Sequence, residues 1–215
     1  EERPHGATTG LASRVLPLPH RRLTVLDSPG HRDLVHVMME GASEADVALL
    51  VVPAPPGELA ATLGPDGSLA EHAALLRALG IRQVLVAVNK MDATSPPYSQ
   101  EAFEEARGGV ARQLAAVGYA PGQLRFVPVS AFLGENVARA PSDSHLSSWL
   151  PADSPTLAAA LDDFRVPKRP VHKPLRCVVT EVLSSSRRGA ELSVRVVQGT
   201  LREGRRVAVL PLRAV

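Results

Sequence analysis

The chain predicts an α/β domain with a largely parallel sheet, followed by the opening strands of an all-β unit. Three observations carry this. Aliphatic runs at 47–52, 81–88 and 124–129 alternate with helix-length amphipathic segments. Parallel strands need crossovers of that kind, and the crossovers cover both faces of the sheet. After Pro167, Pro170 and Pro174 the helical patterning stops, and short apolar runs follow at 175–182, 190–197 and 206–210. That change marks a stiff linker and the start of a β-barrel or sandwich.

The elements follow in order. Residues 14–18 and 22–27 flank the turn Pro19-His20-Arg21 and read as a β-hairpin, with Pro17 confining the first strand to an edge. Residues 31–41 read as a helix after Pro29-Gly30. Residues 47–52 are continuously aliphatic, which suits a strand buried on both faces. Residues 53–68 are rich in Gly and Pro and read as a loop. Residues 69–79 form a helix that Gly80 ends. A strand at 81–88, a longer helix at 99–117 and a strand at 124–129 come next. A polar loop at 141–155 and a last helix at 156–164 complete the first domain, expected to span 1–166, with the second beginning at 167–215. There is no internal repeat.

Bulk properties narrow the function classes. The 215 residues are 45% hydrophobic, enough for a real core. Net charge is +2 with a pI near 9.0, compatible with an RNA-containing partner without arguing for one. Arg dominates, the only lysines being Lys90, Lys168 and Lys173. Cys177 is the sole cysteine, so no internal disulfide can form, which fits a reducing compartment. No run approaches the ~18 apolar residues of a membrane span. The N-terminus is not a signal peptide and has no initiator Met, so the chain is expected to begin inside a larger reading frame. A cytoplasmic location is expected, with no membrane or DNA partner.

Ligands of α/β sheets gather at the carboxyl ends of strands, and three motifs stand there. The first is Asp27-Ser28-Pro29-Gly30. A carboxylate there can hold Mg²⁺ through water, and the glycine lets a backbone N–H approach a terminal phosphate. The second is Asn89-Lys90-Met91-Asp92. The Asp92 carboxylate can accept the ring N–H and exocyclic amine of guanine, a donor pair that adenine lacks. Asn89 can bind another base edge and brace the neighbouring loops, and the Lys90 stem can lie along the base. The third is Ser130-Ala131-Phe132, where the Ala131 N–H can donate to the guanine carbonyl. Each is weak alone. In this order, each at the end of its own strand, they point to a GTPase.

From Asp27 onward the chain resembles the translational GTPases of the elongation factor one-alpha group. The resemblance rests on Asp27-Ser28-Pro29-Gly30-His31-Arg32-Asp33, Gly57-Glu58-Leu59, Glu71-His72, Val88-Asn89-Lys90-Met91-Asp92, Phe126-Val127-Pro128-Val129-Ser130 and Lys173-Pro174-Leu175-Arg176. Gly134-Glu135-Asn136, Leu146-Ser147-Ser148-Trp149 and Leu161-Asp162-Asp163-Phe164 look most like the ribosome-rescue GTPase that partners Pelota. Elongation factor one-alpha and release factor three are the alternatives, as is a truncated, non-hydrolysing binding module. The resemblance implies a P-loop-GTPase-type sheet, GTP/GDP and Mg²⁺ as ligands, and the ribosome with its rRNA as partner. A Pelota-like or tRNA-like cargo would be delivered. Thr8 and Asp27 would serve the metal, Gly30 would sense the γ-phosphate, and His31 would orient the attacking water. Asp27, Gly30, Asn89, Lys90, Asp92, Ser130, Ala131 and Phe132 would hold the nucleotide.

There are departures. Pro4-His5 stands where the group has a charged pair, Ala7 where it has Ile or Val, and Leu69-Ala70 where it has Thr-Arg. No G-x-x-x-x-G-K-[ST] occurs in the 215 residues. In the group that phosphate-binding loop and its strand precede Thr8, so their place is expected upstream of Glu1. The strand would lie between 22–27 and 47–52, and without it two strand edges are left unpaired. The isolated chain is therefore expected to fold poorly and to bind GTP weakly.

His72, near a helix start, reads as a packing or capping residue, and Trp149 and Cys177 read most simply as packing residues. His31 and His36 are five apart, wrong for joint metal ligation on one helical face.

Overall fold

A computed structural model describes residues 10–30, 32–186 and 189–210. It divides into two compact units, Glu1–Arg165 and Val166–Val215. The first is a mixed α/β unit, and the second an antiparallel β-pair.

In the first unit β1 (Ala12–Pro17) and β2 (Arg22–Asp27) form an antiparallel hairpin, paired from Ala12↔Asp27 to Pro17↔Arg22. A short 3₁₀ turn, Arg32–Leu34, leads into α1 (Val35–Glu44), so the helix expected from 31 starts later and runs further. β3 (Ala48–Pro53), β4 (Val84–Asn89) and β5 (Leu124–Pro128) form a parallel sheet in sequence order. Between them lie α2 (Pro56–Leu63), α3 (Leu69–Ala78) and α4 (Gln100–Ala116). The short helices α5 (Ser144–Trp149) and α6 (Leu157–Asp162) follow.

Capping explains several boundaries. The Ser99 hydroxyl accepts the Ala102 N–H at 3.2 Å to start α4, and Thr156 accepts from Ala159 at 3.2 Å to start α6. Gly80, at φ +88°, ends the α3 region.

β4 is the heart of the sheet. Val84, Val86 and Val88 face a core shared with Leu59 of α2, Leu69 of α3 and Phe103 and Val110 of α4. Leu85 and Ala87 face the other way, onto Ala160 of α6 and Phe164.

Three expectations are corrected. The Gly/Pro-rich stretch 53–68 contains α2, because Pro56 suits a first helical turn and Leu59 is buried in the core. The polar loop at 141–155 contains α5, capped by Asp143 and anchored by the buried Leu146. β3 is not buried on both faces. Its Val51 is 61% exposed and Leu49 39%, although their register partners Ala87 and Leu85 are fully covered.

The reason lies beside β3. Its free edge and that of β2 pair with nothing among the described residues. Between them runs a cleft of ≈490 Å³, walled by 23–27 and 47–52 and closed by Met38 and Ala42 of α1, Leu76 of α3, and Leu161 and Phe164. Among the described residues two unpaired strand edges thus flank an apolar cleft.

In the second unit β6 (Arg176–Ser186) and β7 (Gly189–Gln198) pair antiparallel with register shifts at three places. The run 206–210, expected as a strand, is not one. Its Val207, Val209 and Leu210 are exposed, with no partner strand among the described residues to hold an extended ladder.

Candidate nucleotide site

The three strand-end motifs do not all meet. Asp27-Ser28-Pro29-Gly30 follows β2 and lines the mouth of the cleft. A Cβ at Gly30 would meet nothing within 4 Å, so packing does not demand the glycine, and the space beside it is open. His31 and Thr8 lie outside the described residues. Asp27 is exposed at the end of β2, and no cluster of three metal-ligating side chains occurs among the described residues.

The second and third motifs converge. Asn89 ends β4, and Lys90 turns the chain sharply at φ +62°. That turn buries Met91 and sets Asp92 into a short 3₁₀ turn, Met91–Ala93. β5 brings up the third motif, because the Met91 N–H donates to the Val129 carbonyl at 3.2 Å. The Asn89 Oδ1 accepts the Ala131 N–H at 2.9 Å, joining the two loops. Ser130 is fully buried, and its hydroxyl accepts the Leu133 N–H at 3.2 Å. Phe132 stands out at the loop tip, 90% exposed.

Within this constellation the Asp92 Oδ1 is shut away from water and has no hydrogen-bond partner among the described residues. A native protein rarely leaves a carboxylate oxygen so, since the unmet acceptor costs about 1–3 kcal/mol or more. The convergence of the second and third motifs through the Asn89–Ala131 bond fits the base half of a guanine nucleotide. The described residues do not build the phosphate and metal half.

Two further residues shape the site and were not assigned from the sequence. The Lys90 ammonium pairs with the Glu58 carboxylate at 2.5 Å, both half exposed, so α2 steers the stem of that lysine. Tyr98 is buried beneath the loops. Its phenol pKa is pushed above the ordinary 10.0, first by burial and then by the carboxylates of Asp143, Glu135 and Asp92, with a Ser130 hydrogen bond pulling the other way. The Glu135 carboxylate is lowered, first by the Ser142 hydroxyl and further by the Ser142 and Asp143 N–H groups, against some desolvation. Only Gly57-Glu58 carried a sequence signal. The position of Tyr98 depends on a loop conformation that no local pattern announces.

The family described as "Elongation factor Tu GTP binding domain" matches residues 1–185. Elongation factor 1-alpha of Staphylothermus marinus is 42% identical over 212 residues, 98% of this chain and 47% of that protein. Elongation factor 1-alpha 1 of Euplotes crassus is 40% identical over 210 residues, 98% of this chain and 46% of its own. The chain therefore spans about half the length of the curated relatives it matches. Among solved structures, sup35 complexed with GMPPNP aligns with a TM-score of 0.60 and 30% identity, over 92% of this chain and 45% of that one. The GTPase-like domain of S. cerevisiae Ski7, bound to GDP and inorganic phosphate, gives 0.64 at 17% identity, a likeness of fold alone, over 92% and 46%. The matched span contains the strand-end motifs at Asp27, Asn89 and Ser130 together, and by it the chain belongs to the translation-factor GTPase family of the elongation factor Tu GTP binding domain.

Proposed function

We propose that this chain carries the guanine-reading part of a GTPase that binds GTP and GDP with Mg²⁺ and hydrolyses GTP on the ribosome. The observation that carries the reading is the Asn89–Ala131 bond, which brings the second and third motifs together beside Asp92. In this reading Asp92 accepts the two guanine donors, and the Ala131 N–H donates to the base carbonyl. Ser130 sets the Ala131 loop. Asn89 braces the two loops. The Lys90 stem and Phe132 flank the base. Asp27 and Thr8 serve Mg²⁺, Gly30 approaches the γ-phosphate, and His31 orients water. Magnesium supplies charge neutralisation at the phosphates, and the chain's own part is positioning.

The complete protein acts in the cytoplasm, in ribosome rescue, with a Pelota-like cargo. Three stretches support this finer reading: Gly134-Glu135-Asn136, Leu146-Ser147-Ser148-Trp149 and Leu161-Asp162-Asp163-Phe164. The 40–42% identity to elongation factors 1-alpha favours a second reading, delivery of a tRNA-like cargo. Binding of the GTP form to a Pelota-like protein or to tRNA separates the two.

The base assignment is tested by Asp92→Asn in the complete protein. An amide can donate to the carbonyl that xanthine carries in place of the guanine amine. Guanine nucleotides should therefore bind about tenfold or more weakly, and xanthine nucleotides more tightly. Unchanged GTP affinity in a nucleotide titration removes the assignment. His31→Ala should leave GTP binding intact and slow ribosome-stimulated turnover by at least ~10²-fold. Single-turnover hydrolysis at the normal rate would assign the water to another residue.

A further inference from the structure

The Asn89–Ala131 bond joins the two base-reading loops directly. A longer route joins them again, through α5. From the third motif, the Ser130 N–H donates to the Glu135 carbonyl at 3.1 Å. The Glu135 carboxylate then holds the segment that leads into α5. It accepts the Ser142 N–H at 2.8 Å, the Asp143 N–H at 3.3 Å and the Ser142 hydroxyl. Asp143 caps α5 by accepting the His145 N–H at 2.7 Å. At the other end of α5 the Trp149 Nε1–H donates to the Tyr98 carbonyl at 2.8 Å. The Tyr98 N–H donates to the Met91 carbonyl at 2.8 Å, which closes the circuit beside Asp92. Tyr98 keeps a left-handed backbone at φ 58°, a costly conformation for a bulky residue that persists where the surroundings hold it.

We propose that α5 is a strap for the guanine site, with Glu135 at its start and Trp149 at its end as positioning residues that hold the Ala131 N–H and the Asp92 carboxylate at one spacing. The inference rests on the guanine reading above. A base read at one edge by Asp92 and at its carbonyl by Ala131 needs both loops placed before it arrives, since ordering them on binding costs affinity. The Asn89–Ala131 bond alone leaves the loops free to hinge about it, and a second attachment through α5 removes that freedom. Core packing does not call for these polar contacts. The fully buried Leu146 already anchors α5, and the Trp149 ring lies 5.4 Å from that of Phe103.

The test uses the complete protein, with fluorescent GDP and inosine diphosphate as its competitor. Inosine lacks the exocyclic amine, so the ratio of the two affinities reports how well Asp92 is aimed. Trp149→Phe keeps an aromatic ring beside Phe103 and removes the Nε1–H. Glu135→Gln puts an amide NH₂ where a carboxylate oxygen accepts. In each variant GDP affinity should fall about five- to tenfold and the ratio should narrow by about threefold or more. The double variant should lose less than the product of the single losses, because either change opens the same circuit. Phe103→Leu removes the ring contact and leaves the hydrogen bonds, so it should lower the melting temperature with the ratio unchanged. An unchanged ratio in either strap variant overturns the proposal, as do single losses that multiply. If Trp149→Phe fails to fold, Glu135→Gln decides. A ratio narrowed as much by Phe103→Leu assigns the effect to packing and also overturns it. Asp92→Asn run alongside separates the levels. If it leaves GDP binding unchanged, the guanine reading falls and this proposal with it. If it weakens GDP while the ratio holds in the strap variants, only the proposal falls.

Discussion

His72 sits in the first turn of α3 and lines the cleft beside β3, and its Nε2 is shut from water with no hydrogen-bond partner among the described residues. Burial holds its imidazole pKa below the ordinary 6.5, with Glu71 pulling it up in part. The unfolded chain therefore takes up the proton first as pH falls. Stability contributed by the neutral ring is full above about pH 6.5 and is lost as pH drops through that value toward the lower folded one. The melting temperature should fall between about pH 7.5 and 5.5, and His72→Gln should flatten that fall. An equal slope in the variant would place the titrating group elsewhere. His72 was legible in the sequence as a residue near a helix start. Its unpartnered nitrogen was not, because that depends on which strands come near it.

At the scale of elements, the β1–β2 hairpin is held at its turn by α6. The Asp162 carboxylate accepts the His20 N–H at 3.2 Å and meets His20 Nδ1 at 2.7 Å, while the Arg21 Nε–H donates to the Asp162 carbonyl. Asp162 is buried and His20 is exposed, so the pair is half screened by water. Asp162→Ala should cost about 1–2 kcal/mol and loosen β1 and β2 more than the central sheet. Hydrogen exchange should quicken at 12–17 and 22–27 and stay slow at 84–89. Uniform acceleration would show that the hairpin and sheet open as one unit. Both strands of this hairpin were legible from their apolar runs and the Pro19-His20-Arg21 turn. The tether was not, since its partners are 142 residues apart. Helices α2 and α5 were missed for a related reason. Their local composition favours turns, and Leu59 and Leu146 make them helices by entering the core.

Across the whole first unit, the cleft divides strands that read alike. Leu49 and Val51 have the same aliphatic character as Leu85 and Ala87 beside them, yet they remain exposed. Leu85→Ala should cost about 2–5 kcal/mol by losing buried contacts and leaving a cavity. Val51→Thr should cost less than about 0.5 kcal/mol, the scale of a surface change. Equal costs in denaturant unfolding would mean that the cleft is closed over β3 in solution. The free edges of β2 and β3 accord with the unpaired edges expected from the sequence.

The sequence by itself determined the alternation of strand and helix, the change of pattern after Pro174 and the order of the three strand-end motifs. These follow from periodicity and short-range chemistry, which act within a few residues. Only the tertiary structure decided which motifs meet. β5 lies against β4, so Ser130 and Ala131 come to Asn89 and Asp92. β2 is not paired with β3, so Asp27 and Gly30 stand apart at the cleft. Strand adjacency is set by backbone pairing between distant segments, and no local pattern records it.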